Sequence, residues 1–393
     1  MTHLFQLDAA GLRSGAEVLF YTSLGLLLYV YVLYPVLLSC ISLFSRRSRA
    51  PLGYEPFLSV LICAYNEEAG IAEKLRQTLA LDYPEDKIEI VVVSDGSTDA
   101  TEDIVRSFAD SRVRLLRTSL RRGKTNAQNE GVSTCKGEVI VFSDATAIYK
   151  KSALRYLAGN YRDPRVGAVS GRYQYFDESG ASPTGAGSIA FWNYENWIKS
   201  SQSSIKTITG CCGCIYSVRR DLYTELPADI ISDLVQPLCV IRRGHSVVFE
   251  DRALAYEATT ETSHQEFTMR VRVITRAMRG LLSAGDLFNP FRYTWIAFQL
   301  ISHKVMRWFV PAYLLGMLLG SALLAGHTFF TIVFAAQVGF YLVAISSLFL
   351  PLHRGWKPLG IPLYFCTLNL AAVVSLIELM RGNKYVVWET VRP

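Results

Sequence analysis

The chain has 393 residues, half of them hydrophobic, with a formal net charge of +6 and eight cysteines. That length exceeds one ordinary domain, and the apolar content is high for a wholly water-soluble protein. The basic residues cluster at the edges of apolar blocks and in "RRGK" (121–124), which suits headgroups and phosphates better than a duplex-binding face, so no nucleic-acid partner is expected.

From about Val18 to Phe44 the chain carries no charge, over more than the roughly 20 residues needed to cross a bilayer. The run is too long for a signal peptide, and it lacks a basic lead-in and a small-residue cleavage site. "SRRSRAPLG" follows directly. By the positive-inside rule this cluster faces the cytoplasm, and the middle of the chain with it.

Residues 57 to about 176 alternate strand and helix patterns. "FLSVLICAY" (57–65) reads as a buried strand, and "NEEAGIAEKLRQTLAL" (66–81) as a helix with Asn66 as N-cap and Glu67 and Glu68 in its first turn. "KIEIVVVSD" (87–95) is a second strand. "GSTDATEDIVRSFA" (96–109) is a second helix, with Ser97 and Thr98 as candidate caps. "RVRLLRTS" (112–119), "KTNAQNEGVSTC" (124–135) and "GEVIVFSD" (137–144) continue as strand, helix and strand. Continuous Val/Ile runs between helices predict a parallel sheet covered on both faces. Ligands of such sheets bind at the carboxyl ends of the strands, where "AYNEE", "SDGSTD" and "FSDAT" deliver acids and amides.

Each of these ends has a plain reading and a chemical one. Asp95 either closes a capped turn or faces a polar ligand. Lys124, beside Gly123 at a helix start, is either a solvated cation or half of a phosphate corner completed by backbone N–H groups. Asp144 is either a turn residue or a ligand for a divalent cation, which needs only one or two carboxylates when phosphates complete its shell. The pattern G-x-x-x-x-G-K-[ST] is absent, and no G-x-G-x-x-G follows a strand, which disfavours a P-loop or dinucleotide site. "CCGC" (211–214) lacks a second ligand pair for zinc, and a tight small-residue loop is the better reading.

Further on, "TMRVRVITRAMRGLL" (268–282) is basic and amphipathic, as expected of a helix at the headgroups. Three apolar segments follow Trp308. Three full spans would leave the basic tail "RGNKYVVWETVRP" outside, against the charge rule, so either one segment is interfacial or re-entrant or the tail breaks the rule.

Together, "VLICAYNEE", "VVVSDGSTD", "RRGKTNAQNEG" and "VIVFSDAT" resemble the successive signatures of family 2 inverting glycosyltransferases with the GT-A fold. "TGCCGCIYSVRRDLY" resembles their acceptor loop, "ISDLVQPLCVI" the segment with the catalytic base, and "HKVMRW" (303–308) the Q-x-x-R-W motif of membrane polysaccharide synthases such as those of hyaluronan, chitin and poly-N-acetylglucosamine. The resemblance spans about Phe57 to Trp308. It implies an α/β GT-A domain, Rossmann-like with a mostly parallel sheet, between N- and C-terminal transmembrane helices. It also implies a plasma (inner) membrane, multi-pass protein. The expected layout is a helix within 1–45, a cytoplasmic domain over 46–267, interfacial helices with the RW motif over 268–308, and about three spans and a tail over 309–393.

The resemblance also implies roles. Tyr65, Glu67 and Asp95 would line the pocket of a nucleotide sugar, expected to be a UDP-sugar, and Lys124 would approach its diphosphate. Asp144 would hold Mg²⁺ or Mn²⁺, and Asp233 would be the general base. Arg307 and Trp308 would approach the diphosphate and an acceptor, either a polysaccharide or a lipid-linked sugar, at the lipid surface. Two motifs depart from the family. The acid pair D-x-D is Asp144-Ala145-Thr146, and T-E-D is Ile231-Ser232-Asp233. A non-catalytic binding or assembly subunit of a polysaccharide export machine is the alternative these departures leave open.

Overall fold

The computed structural model describes residues 2–45, 50–177, 182–350 and 352–387. The basic cluster at 46–49 and the tail beyond 387 lie outside the described residues. Eight strands follow in chain order: β1 (Leu58–Ala64), β2 (Ile88–Ser94), β3 (Val113–Arg117), β4 (Val139–Asp144), β5 (Ile148–Tyr149), β6 (Val166–Phe176), β7 (Ile215–Arg219) and β8 (Ser246–Ala258). They form one sheet in the order β3-β2-β1-β4-β7-β6-β8-β5.

The first four strands pair in parallel, with Ile62 opposite both Val92 and Ser143. Every residue of β1 and β2 is buried, because helices cover both faces. Each fully buried Val, Leu or Ile there contributes about 1.5–3 kcal/mol. Beyond β4 the sheet turns antiparallel through β7, and β6 and β8 then pair in parallel. The sheet is therefore mixed, with its parallel half where the Val/Ile runs are. The chain steps outward from β1 to β3 and returns to β4 on the other side of β1. That reversal opens a crevice at the carboxyl ends of β1 and β4.

The helices, in order, are α1 (Gly11–Phe44), α2 (Ile71–Leu79), α3 (Thr101–Arg106), α4 (Lys124–Thr134), α5 (Ala153–Gly159), α6 (Gly185–Ile205) and α7 (Ser232–Arg242). The rest are α8 (Ser263–Ser283), α9 (Pro290–Trp308), α10 (Val310–Leu323), α11 (Thr328–Phe349) and α12 (Gly360–Met380). The start of α2 departs from the sequence expectation. The helix begins at Ile71, and Asn66 adopts φ +51° outside it. The N–H of Asn66 donates to Ser97 Oγ (3.2 Å), its Oδ1 accepts from the N–H of Thr98 (2.9 Å), and a Glu68 oxygen accepts from the N–H of Ala100 (3.0 Å). The expected caps are used instead to brace one loop against the other, because β1 and β2 end side by side.

By length and composition α1, α11 and Lys357–Met380 could each cross a membrane, and α9 with α10 would make a fourth span bent by 57°. α10 packs antiparallel on α1 through small residues. A β-carbon on Gly320 would lie 2.8 Å from that of Phe20, and one on Gly316 would lie 2.3 Å from Ser23 Oγ. Such close approach is how apolar helices associate in lipid.

α12 is tied at both ends to α8. Arg270 donates to the Tyr364 hydroxyl (2.9 Å), Ser375 Oγ to the carbonyl of Val271 (3.0 Å) and Arg279 to that of Asn383 (2.8 Å). Lys384 pairs with Asp229 at 3.4 Å. The arginines of α8 thus differ from the expectation of a headgroup face. Arg270 and Arg276 are buried against the protein, because α12 and the loop before α7 cover them.

Candidate active site

The crevice widens into a cavity of about 800 Å³ lined by Glu67, Lys124, Asp144, Asp233, Arg307 and Trp308 among others. Six of the eight residues singled out in the sequence thus share one enclosure. Tyr65 and Asp95 are not on its wall. The Arg121 guanidinium lies 3.7 Å from the Tyr65 ring centroid. Asp95 is fully buried, and its carboxylate accepts from the N–H groups of Arg122 (2.9 Å) and Gly123 (2.8 Å). These two amides are therefore occupied, and Asp95 shapes the loop that leads into α4. Gly123 makes that turn possible with φ +88°.

Lys124 opens α4, and its ammonium contacts the Asp144 carboxylate at the end of β4. Burial lowers the Lys124 pKa, and the Asp144 charge outweighs it, leaving the net shift upward. Beneath the turn after β4, the buried Lys74 donates to Ser143 Oγ (2.7 Å) and to the Ala147 carbonyl (2.5 Å). Burial brings its pKa down to about 8 against the pull of Asp144.

Asp233 sits in the first turn of α7, and its carbonyl accepts from the N–H of Cys211 (2.8 Å). The "CCGC" segment is the tight loop expected from its sequence, and its cysteines are free. Its use is steric, since a β-carbon on Gly213 would meet Asp233 Oδ2 at 2.8 Å. Burial pushes the Asp233 carboxyl upward, Lys124 and Lys199 oppose it, and Asp144 adds to it, with a net upward shift. An acid of this kind holds its proton to a higher pH than a solvated one, and when ionised it is a stronger base.

Arg307 does not point freely into the cavity. Its guanidinium contacts Glu195 of α6, and the same carboxylate accepts from His303 (3.1 Å) and lies 3.9 Å from Lys304. Burial raises the Glu195 carboxyl, but Arg307, His303 and Lys304 outweigh that effect and hold it well below the usual range. Around this knot Tyr29 of α1 bonds Ser302 (2.7 Å), each within a π-helical turn. The RW segment is thereby locked to both the domain and the N-terminal helix.

Sequence reasoning missed Glu195, Lys199, Glu257, Arg272 and Arg276, which also line the cavity. Lys199 donates to Cys212 Sγ (3.1 Å), and Arg276 donates to Thr125 Oγ1 (2.7 Å) and the Ile230 carbonyl (2.7 Å). Burial brings the Arg276 pKa down to about 10. For Glu195 and Lys199 the available signal was charge within the aromatic-rich stretch of α6, since charged residues are buried only with a partner or a function. Among the described residues, no group of three or more His, Cys, Asp and Glu could hold a metal by itself. Asp144 supplies one hard oxygen ligand that a cation already touches.

Residues 59–226 match the family model described as glycosyl transferase family 2. The chain is 29% identical over 227 residues to the probable glycosyltransferase YdaM of Bacillus subtilis, covering 55% of this chain and 54% of that protein. It is 26% identical over 246 residues to a poly-beta-1,6-N-acetyl-D-glucosamine synthase of Staphylococcus aureus, covering 58% of each. The match spans a little over half the length of these curated relatives. Among solved structures it resembles the mannosyltransferase PcManGT from Pyrobaculum calidifontis in complex with GDP-Man and Mn²⁺. That likeness has a TM-score of 0.72 and 21% identity, and it covers 95% of this chain and 100% of that one.

Proposed function

We propose that this chain, whose residues 59–226 match glycosyl transferase family 2 and whose fold resembles that of a solved mannosyltransferase, transfers a sugar with inversion from a nucleotide sugar to an acceptor at a membrane face. One observation carries this reading. A carboxyl of raised pKa, Asp233, shares a single cavity with the Lys124–Asp144 pair. The donor's diphosphate would lie toward Lys124 and Asp144, and its sugar toward Asp233. The acceptor oxygen attacks the anomeric carbon, its proton passes to the Asp233 carboxylate, and the bond from that carbon to the diphosphate oxygen breaks with its electron pair. A single displacement inverts the anomeric centre. Lys124 meets the charge that grows on the leaving diphosphate.

The site fits a divalent cation, Mg²⁺ or Mn²⁺. Asp144 offers a hard, partly exposed oxygen, and the Lys124 ammonium is a positive charge already seated there. Such an ion, when bound, neutralises diphosphate charge. Arg272 and Arg276 add positive charge to the same wall.

The acceptor would arrive along the membrane, because Tyr31 of the candidate span α1 and Leu368, Asn369 and Ala372 of the apolar α12 are part of the cavity wall. A growing polysaccharide or a lipid-linked sugar meets that requirement, and the synthase relatives favour exopolysaccharide. In this reading α1, the bent pair α9–α10 and α11 cross the plasma (inner) membrane, while α12 lies along α8 on the domain's membrane side. The chain then leaves and returns, and Arg381 and Lys384 after α12 lie on the cytoplasmic side with the catalytic domain. The conflict between span count and tail charge disappears.

The test is nucleotide release by the full chain in nanodiscs with individual UDP- and GDP-sugars and Mg²⁺ or Mn²⁺, followed by mass analysis of the product. Release with one donor and a product heavier by one or more sugars is expected. No release across the panel would return the chain to the non-catalytic subunit reading.

A further inference from the structure

A cation that bridges a diphosphate to protein is held by one or two carboxylates, with phosphate oxygens and water filling its shell. Asp144 is one, and two residues later stands Thr146, not a second acid. The fold brings another acid to that place. Strand β5, which follows the turn, pairs antiparallel with β8, with Ile148 opposite Tyr256 and Tyr149 opposite Ala255. Continuing that register by one step sets Glu257 across from Ala147, beside Thr146. The side chains meet there. Thr146 Oγ1 donates to Glu257 Oε1 (2.7 Å), and the buried Tyr173 hydroxyl donates to Glu257 Oε2. Glu257, Thr146 and Asp144 line the same cavity.

We infer that Glu257 is the second carboxylate of the cation seat, supplied by β8 in place of an acid at position 146 and aimed by Thr146 and Tyr173. This rests on the cation reading of Asp144 given above. A carboxylate offers about four lone-pair sites, so accepting from two hydroxyls is compatible with holding a cation. The two hydroxyls fix the positions of both oxygens. The buried Lys74 ammonium, bonded to Ser143 Oγ and the Ala147 carbonyl, braces the turn that carries Asp144 and Thr146 from beneath. The arrangement explains how an eroded acid pair can still hold a metal. The lost charge is moved to a neighbouring strand, and the threonine left behind positions it.

The experiment is Mn²⁺ binding to the purified full chain in detergent, read from the electron paramagnetic resonance signal of free Mn²⁺, without and with UDP. Glu257→Gln keeps the shape and a hydrogen-bonding oxygen. It is expected to weaken Mn²⁺ binding in the presence of UDP by at least about tenfold, the lower end of the effect of disturbing a metal's supporting shell. Adding Thr146→Asp to Glu257→Gln should restore much of the loss, which a merely misfolded variant would not allow. Asp144→Asn serves as reference. If Asp144→Asn weakens binding and Glu257→Gln binds like wild type, the inference about Glu257 is overturned and Asp144 stands. If wild-type protein takes up no Mn²⁺ with UDP, the inference and the cation reading fall together.

Discussion

Gly213 lies so close to Asp233 that a β-carbon on it would sit 2.8 Å from the carboxylate Oδ2. No ordinary contact is that short, so any side chain at 213 must displace the acid or the loop. Gly213→Ala therefore tests whether the position of Asp233 matters to chemistry. A shift of about 1 Å in a reacting group costs on the order of 10²-fold in rate. The expected result is a fall of that size in kcat with the donor KM little changed, measured by nucleotide release. An unchanged kcat would mean that the loop at 213, and not Asp233, gives way to the added methyl.

The acid limb of the pH–rate profile gives a second test. The Asp233 carboxyl is raised in the folded protein, first by burial. It therefore keeps its proton to a higher pH than a free aspartate, and the base form appears only above that point. The rate is expected to fall as pH drops through a midpoint above the ordinary aspartate value. The stability sign runs the other way. A raised folded pKa stabilises the native state at low pH, and that stabilisation is lost as pH rises through the folded value. At neutral pH Asp233→Asn should then unfold at a temperature equal to or above that of wild type, although it is inactive. A clear drop in its melting temperature at neutral pH would contradict this.

Glu195 is the counter-ion of Lys304 and Arg307 and accepts a hydrogen bond from His303. Its neutralisation leaves buried positive charges facing each other. Breaking a buried pair typically costs about 3–5 kcal/mol, so Glu195→Gln should lower the thermal midpoint in detergent. Adding Arg307→Met should recover part of the loss, because the two changes act on one contact. Additive losses would show that the knot is not an interacting unit.

The fixing of α12 to α8 makes a prediction about sidedness. Asn383 and Lys384 are bonded to Arg279 and Asp229 of the catalytic domain's side. A green fluorescent protein fused after the tail should fluoresce, and alkaline phosphatase fused there should be inactive. Active phosphatase would place the tail across the membrane and require α12 to span it.

The parallel half of the sheet was legible because β1, β2 and β4 are continuous apolar runs, and their polar ends pointed to one crevice. The start of α2 was misread because Asn66 and Glu67 look like an N-cap and first turn. The competing demand, bracing the loop at 97–100, depends on a strand neighbour that local sequence does not reveal. Asp95 was identified as important, but its carboxylate closes on the backbone of Arg122 and Gly123, a contact made across a strand and a loop. Glu195 and Glu257 carry no motif of their own. Each is meaningful only beside a partner far along the chain, Arg307 for one and Thr146 for the other. The basic helix α8 looked like a headgroup helix because periodicity records an amphipathic face without saying what covers it.

The central claim is that Asp233 removes the acceptor's proton in a sugar transfer from a nucleotide donor. Its most direct test compares wild type with Asp233→Asn in nanodiscs, measuring nucleotide release and nucleotide binding in the same preparations. General-base catalysis contributes typically about 10²–10⁴-fold, so release should fall by that factor while the Kd for the nucleotide stays the same. Release by Asp233→Asn at the wild-type rate would contradict the account.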